Sequence, residues 1–184
     1  MLTPESLNIY SLDKERIFIP YAHIKTHSLP VANKLCRQAY YKHPKGCPNY
    51  NRRENCPPNT LHIFQQYDPL SIHILCVKFP FLEYISQKEL LHPDWTVRAL
   101  TNQRHWQGHL KGEVRRYWEE IKGEYPLHKL IENPEGQGVN VQKTLKRYDI
   151  NLKWCEQNSK GEIVSVPEYI YHVNLIGKEI LPIN

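Results

Sequence analysis

The stretch from His43 to Asn59 constrains this chain more than any other, because no long helix or strand can run through it. It reads His43-Pro-Lys-Gly-Cys-Pro-Asn-Tyr-Asn-Arg-Arg-Glu-Asn-Cys-Pro-Pro-Asn59, with four prolines and one glycine in seventeen residues. Each proline fixes φ and removes a backbone donor, which breaks the ladders that regular elements need. So few of its side chains suit a core that the segment has to be held by something else.

Its cysteines suggest what that is. Cys36, Cys47 and Cys56 are separated by ten and eight residues, and Cys-Pro occurs at Cys47-Pro48 and Cys56-Pro57. Thiolates are soft ligands suited to zinc, copper(I) or iron–sulfur clusters. A proline after the ligand stiffens the chain where it must turn around the metal. Structural zinc takes four protein ligands, often from close Cys-x-x-Cys pairs, and this chain has no such pair. Three cysteines with an open fourth position suit a 4Fe-4S cluster, which is placed ahead of zinc. The fourth position is left among His27, His43, Cys76, Cys155 and solvent. Cys76, inside Ile-Leu-Cys-Val, reads as a packed core residue. Free or redox-active thiols without metal are the plainer alternative.

Arg52 and Arg53 lie inside the loop, where they would hold an anionic substrate or lower thiolate pKa values. Tyr50, with Tyr40 and Tyr41, would flank a planar ligand.

The loop signature, Cys47-Pro-Asn-Tyr-Asn-Arg-Arg-Glu-Asn-Cys56-Pro-Pro, resembles the Cys-Pro-x-Tyr-Gly-x-x-x-x-Cys-Pro-Pro pattern of an uncharacterised bacterial and archaeal family of predicted cysteine-rich metal-binding proteins. Cys36 matches the upstream cysteine of that family, and Glu132-Asn-Pro-Glu-Gly-Gln-Gly-Val-Asn-Val141 is similar to its Glu-containing, glycine-bearing C-terminal segment. The resemblance spans Lys34 to Ile176, is specific in the loop, and implies metal binding with no defined reaction. Asn51 stands where the family has glycine, a change that left-handed backbone tolerates. The second cysteine cluster of many members is absent: Ile121-Lys-Gly-Glu-Tyr-Pro-Leu-His128 occupies that region.

The rest of the chain predicts one α+β domain, or an irregular α/β one, spanning residues 1–184. With 40% hydrophobic and 11% aromatic residues the chain should fold. An extended stretch is expected at Ile17–Ile24 and a short helix at Ser28–Tyr40, with Val31, Leu35 and Ala39 on one side. A strand at Ile72–Phe79 should be closed by Pro80, and the apolar period predicts a helix from Val97 to about Lys122. A short helix capped by Asn140 should reach Tyr148, followed by strands at Asn151–Cys155 and Tyr169–Ile176 around a turn at Ser159–Gly161.

Other chemistry is thinner. His105, His109 and Glu113 share a helical spacing that suits metal ligands or an acid–base pair, but a solvated helix face is the preferred reading. His172 is read as an ordinary strand histidine. Gly136-Gln-Gly138 is weighed as an anion cradle against a plain turn into a helix, and the turn is preferred. No Walker loop, nucleophile elbow or complete Rossmann fingerprint occurs.

Lys and Arg exceed Asp and Glu, 24 to 19, an excess that permits an anionic partner and leaves nucleic acid a minority reading. The start of the sequence lacks the order of a secretion signal and no apolar run would span a bilayer, so a cytoplasmic setting without membrane contact is expected. The resulting expectation is a metal-binding protein with a three-cysteine cluster open to a small or anionic substrate. The alternative is a zinc-stapled module that binds nucleic acid or protein without catalysis.

Overall fold

A computed structural model describes residues 12–39 and 43–180. The fold is α+β. In chain order the regular elements are β1 (Glu15–Ile19), α1 (Leu29–Arg37), α2 (Ile63–Gln66), β2 (His73–Phe79), α3 (Phe81–Leu91), α4 (Val97–Leu100), α5 (Gln107–Ile121), β3 (His128–Ile131), α6 (Val141–Lys146), β4 (Glu156–Gln157), β5 (Ile163–Ser165) and β6 (Ile170–Lys178). Four strands form a sheet in the order β1-β2-β6-β3, and β4 pairs with β5. β3 runs antiparallel to β6, with His128 opposite Lys178 and Ile131 opposite Leu175. Six of the seven β2 residues are buried, as expected of an apolar run without alternation. No helix among the described residues is long and apolar enough to cross a membrane.

By contacts the chain divides into two compact units. The first comprises Met1–Ile17, Cys76–Tyr117 and Leu152–His172. Its core gathers Phe79, Phe81, Tyr84, Leu100, Leu110 and Val114, with the Phe81 ring 5.3 Å from that of Trp106. The expected helix from Val97 to Lys122 is interrupted. Thr96 caps α4, Asn102 caps a 3-10 turn at Gln103–His105, and Trp106 leaves the helical region before α5 begins. These short polar side chains bond the nearby backbone and restart the helix. α3 was not anticipated, because Pro80 read only as the end of a strand. Pro80 instead takes the position before the first helical turn, and Phe81, Tyr84 and Ile85 supply the buried face.

The helical trio His105, His109 and Glu113 is neither a ligand set nor a freely solvated face. His105 packs 5.0 Å from Trp95, and Glu113 is gripped by Arg16 at 2.7 Å and by Arg116. The segment expected as a strand at Asn151–Cys155 is irregular. The hairpin lies just beyond it, turning at Asn158–Gly161 with Gly161 at φ +77.

The second unit comprises Phe18–Leu75, Trp118–Asn151 and Val173–Asn184. Ile63, Ile72, Ile74, Leu75, Ile131, Leu145, Leu175 and Ile176 form its core. α6 follows expectation, with Asn140 accepting the N–H of Lys143 at 2.9 Å. α1 is the reverse of expectation in its facing. Val31, Leu35 and Ala39 are exposed, and Ala32 is the residue that is buried.

A histidine cluster lies inside this unit. The Tyr21 N–H donates to Nδ1 of His73 at 3.1 Å, which places the His73 proton on Nε2. That nitrogen lies 3.2 Å from Nε2 of His128, and Phe18, Tyr21 and Tyr125 surround the pair at centroid distances of 4.8–5.4 Å. Nε2 of His128 also lies 3.1 Å from the Ser71 carbonyl, so the two ring nitrogens and that oxygen share the available protons. Burial, then His128 and Lys178, lower the His73 pKa to about 4, and burial lowers that of His128.

A histidine held neutral in the fold but free to protonate when unfolded stabilises the fold above the unfolded pKa. That contribution is lost as pH falls through the unfolded value near 6.5 toward about 4. Denaturant midpoints should therefore fall between pH 7 and pH 5, with a slope of at most about 1.4 kcal/mol per pH unit for each such histidine. The slope should be shallower in His73→Asn; an unchanged slope would remove His73 from this account.

Candidate metal centre

The loop at residues 43–59 is built from consecutive turns closed by backbone bonds. Gly46 donates to the carbonyl of His43 at 3.0 Å, Tyr50 to that of Cys47 at 3.1 Å, Cys56 to that of Arg53 at 3.1 Å and Asn59 to that of Cys56 at 3.1 Å. The Asn51 N–H crosses the loop to the carbonyl of Pro57 at 2.8 Å. Asn51 sits at φ +56, the left-handed geometry expected of a residue standing where glycine was anticipated.

The loop is tied to α1 through the N–H of Cys47, which donates to the carbonyl of Cys36 at 2.7 Å. This approach requires glycine at position 46: a Cβ there would lie 2.4 Å from the Cys36 oxygen, at φ +81. Cys36 and Cys47 are half-buried and Cys56 is buried. Burial raises the Cys36 thiol, and the charges of Cys47, Cys56 and Glu135 raise it further. The three loop cysteines expected from sequence therefore share one electrostatic neighbourhood. Among the described residues, no three His, Cys, Asp or Glu side chains are already arranged to hold a metal ion.

Glu135 is the residue that sequence reasoning missed. It lies in a 3-10 turn at Pro134–Gln137 that packs against α1. Gly136 brings this turn onto the loop, since a Cβ there would be 2.8 Å from the Asn55 oxygen and 3.5 Å from Cα of Cys56. Although Glu135 keeps an exposed flank, the dense protein around its carboxyl raises its pKa. The available signal was the segment Glu132–Val141, singled out by resemblance but considered for its glycines instead of its carboxylate. Those glycines make no open anion cradle. Gly136 is closed by the loop and Gly138 by the His27 carbonyl and the His62 ring, at 2.7 and 2.9 Å from a Cβ.

The other fourth-ligand candidates are placed differently. His27 has its Nε2 lone pair engaged. Asn140 uses its oxygen to cap α6, so its amide nitrogen faces Nε2 of His27 at 2.9 Å and donates to it. His43 is exposed at the start of the loop. Cys76 and Cys155 belong to the first unit. Cys76 is completely buried in β2 and its thiol is pushed far up by burial, while Cys155 is half-buried and raised by burial.

Next to the loop is an open groove of about 600 Å3, lined by Pro30, Asn33, Lys34, Arg37 and Gln38 of the α1 region and by Tyr50 and Pro58 of the loop. Of the residues expected to orient a substrate, Tyr50 reaches this groove. Arg52 and Arg53 are exposed on the loop and are not among its lining residues. Tyr40 and Tyr41 lie outside the described residues.

No family model, no curated protein and no solved structure matches this chain.

The left-handed residue gives a direct check on the loop. Asn51→Gly should leave stability nearly unchanged, whereas the β-branched Asn51→Val should cost roughly 1–2 kcal/mol in chemical unfolding. Equal stability of the two variants would contradict the loop backbone described above.

Proposed function

We propose that this is a metal-binding protein in which Cys36, Cys47 and Cys56 hold an iron–sulfur cluster of the 4Fe-4S type. The observation that carries the reading is the backbone packing that holds Cys47 on Cys36 and the Glu135 turn on Cys56, close enough for Cys47, Cys56 and Glu135 all to act on the Cys36 thiol. Negative charge on Cys47, Cys56 and Glu135 holds the Cys36 thiol up, and a cation among these groups would convert that repulsion into attraction. Binding would then release protons and order the loop further.

The donor set also supports a cluster over a single ion. Thiolates around one zinc stand about 3.8 Å apart, given Zn–S bonds of about 2.3 Å in a tetrahedron. Cys36 and the loop supply three cysteines and no close Cys-x-x-Cys pair. A cubane spreads its ligands more widely, and three cysteines leave one iron for another ligand. Glu135 is suited to that position as an oxygen donor that a substrate could displace. The likeness of the loop signature to the cysteine-rich metal-binding family supports the same reading, which goes with a proposed reducing, cytoplasmic setting in which thiols persist.

A bound cluster would supply electron transfer or an electrophilic iron for a small or anionic molecule. The chain's own contribution is to fix the thiolates by short turns and to shield Cys56. The adjacent groove adds Lys34 and Arg37 from α1 and the Tyr50 ring from the loop.

Metal and sulfide analysis after anaerobic preparation tests this. The expected result is about four iron and four sulfide per chain, lost in Cys36→Ser and Cys47→Ser and kept in Cys155→Ser. One zinc per chain without iron would replace the cluster with a zinc staple, and the absence of both after reconstitution would remove the metal reading altogether. Glu135→Gln should retain the metal while changing its electronic spectrum.

A further inference from the structure

The groove beside Cys36 has a composition of its own. Lys34 and Arg37 are its only titratable linings besides the Tyr50 phenol, and no carboxylate lines it. Neither cation makes an ion pair within the described residues, in contrast to Arg16, Arg116, Lys78, Lys122 and Lys129, which each hold a glutamate. Asn33 precedes Arg37 by one helical turn, and its buried Oδ1 has no hydrogen-bond partner. Buried amide groups are normally satisfied, so this unmet oxygen behind the groove wall is unusual. Pro30, Pro58 and Tyr50 add apolar surface to the same groove.

The geometry points to this groove as a binding site for a mononucleotide: the phosphate lies between Lys34 and Arg37, and the base lies on Tyr50 between the two prolines. Charge matching selects the head group. A phosphate monoester carries about −1.5 to −2 at neutral pH and three acceptor oxygens, which balances two cations. A carboxylate would balance Arg37 alone. The guanidinium offers a two-pronged donor, the lysine a point charge and the Gln38 amide a further donor. Base stacking on an aromatic ring contributes roughly 1–3 kcal/mol, and a volume of about 600 Å3 falls within the range of small-ligand sites.

This inference names a ligand class for the groove next to the proposed cluster, and it stands on the groove residues alone. If metal analysis finds nothing and a nucleotide still binds, the cluster reading fails and this one holds. If iron is found and no nucleotide binds, the reverse is true.

Calorimetric titration with AMP, inorganic phosphate, adenosine and benzoate, on wild type and on Cys47→Ser, provides the test. AMP should bind with a submillimolar Kd in both proteins, with phosphate and adenosine each at least tenfold weaker because each lacks half of the contacts. Arg37→Ala and Tyr50→Ala should each weaken AMP at least about tenfold. Arg37→Lys should fall between wild type and Arg37→Ala. These exposed or half-exposed positions leave the fold intact, which circular dichroism checks. The inference is overturned if AMP does not bind at millimolar concentration, if Arg37→Ala binds it within twofold of wild type, or if benzoate, phosphate or adenosine binds as well as AMP.

Discussion

The bond between the N–H of Cys47 and the carbonyl of Cys36 is the contact on which the candidate site depends. A seventeen-residue loop with four prolines has few backbone donors to spend, and six of them bond within the loop. This one reaches out of the loop to a helix. It uses one of the C-terminal carbonyls that an α-helix leaves without an internal partner, so the loop also finishes the helix. Gly46 makes the approach feasible, because any side chain there would strike the same carbonyl.

From that anchor the remaining features follow by adjacency. Arg37 succeeds Cys36 in the helix and faces the groove, so thiol and guanidinium sit on neighbouring positions of one turn. The turn at Pro134–Gln137 approaches from the other side and brings a carboxylate to the thiols. Metal donors and anion-binding cations are commonly antagonistic, since each neutralises the partner the other needs.

How much of this was readable in advance depended on sequence distance. The turn-rich loop, the left-handed Asn51, the Asn140 cap and the buried run of β2 are all set by residues close in the chain, and they follow the expected pattern. Helix α1 shows what a period leaves open. The spacing of Val31 and Leu35 identifies a helix but does not say which side is covered, and the covered side carries small Ala32. Breaks around Thr101 to Trp106 depend on side-chain caps that an apolar period overlooks. Glu135 meets the cysteines across roughly eighty residues of chain, a distance at which local pattern carries no information. The groove cations were missed for a related reason: charge inside the loop drew attention to Arg52 and Arg53, while the fold supplies it from the helix.

Asn140 illustrates a different kind of specification. An amide has two unlike ends, and both are assigned here: the oxygen completes a helix, and the nitrogen keeps a histidine in one tautomer. A carboxylate of the same shape has two like ends. In its place it would still finish the helix, but its second oxygen would ask His27 for a proton instead of giving one. The identity of one side chain thus decides where a hydrogen resides on another ring 113 positions away in the chain.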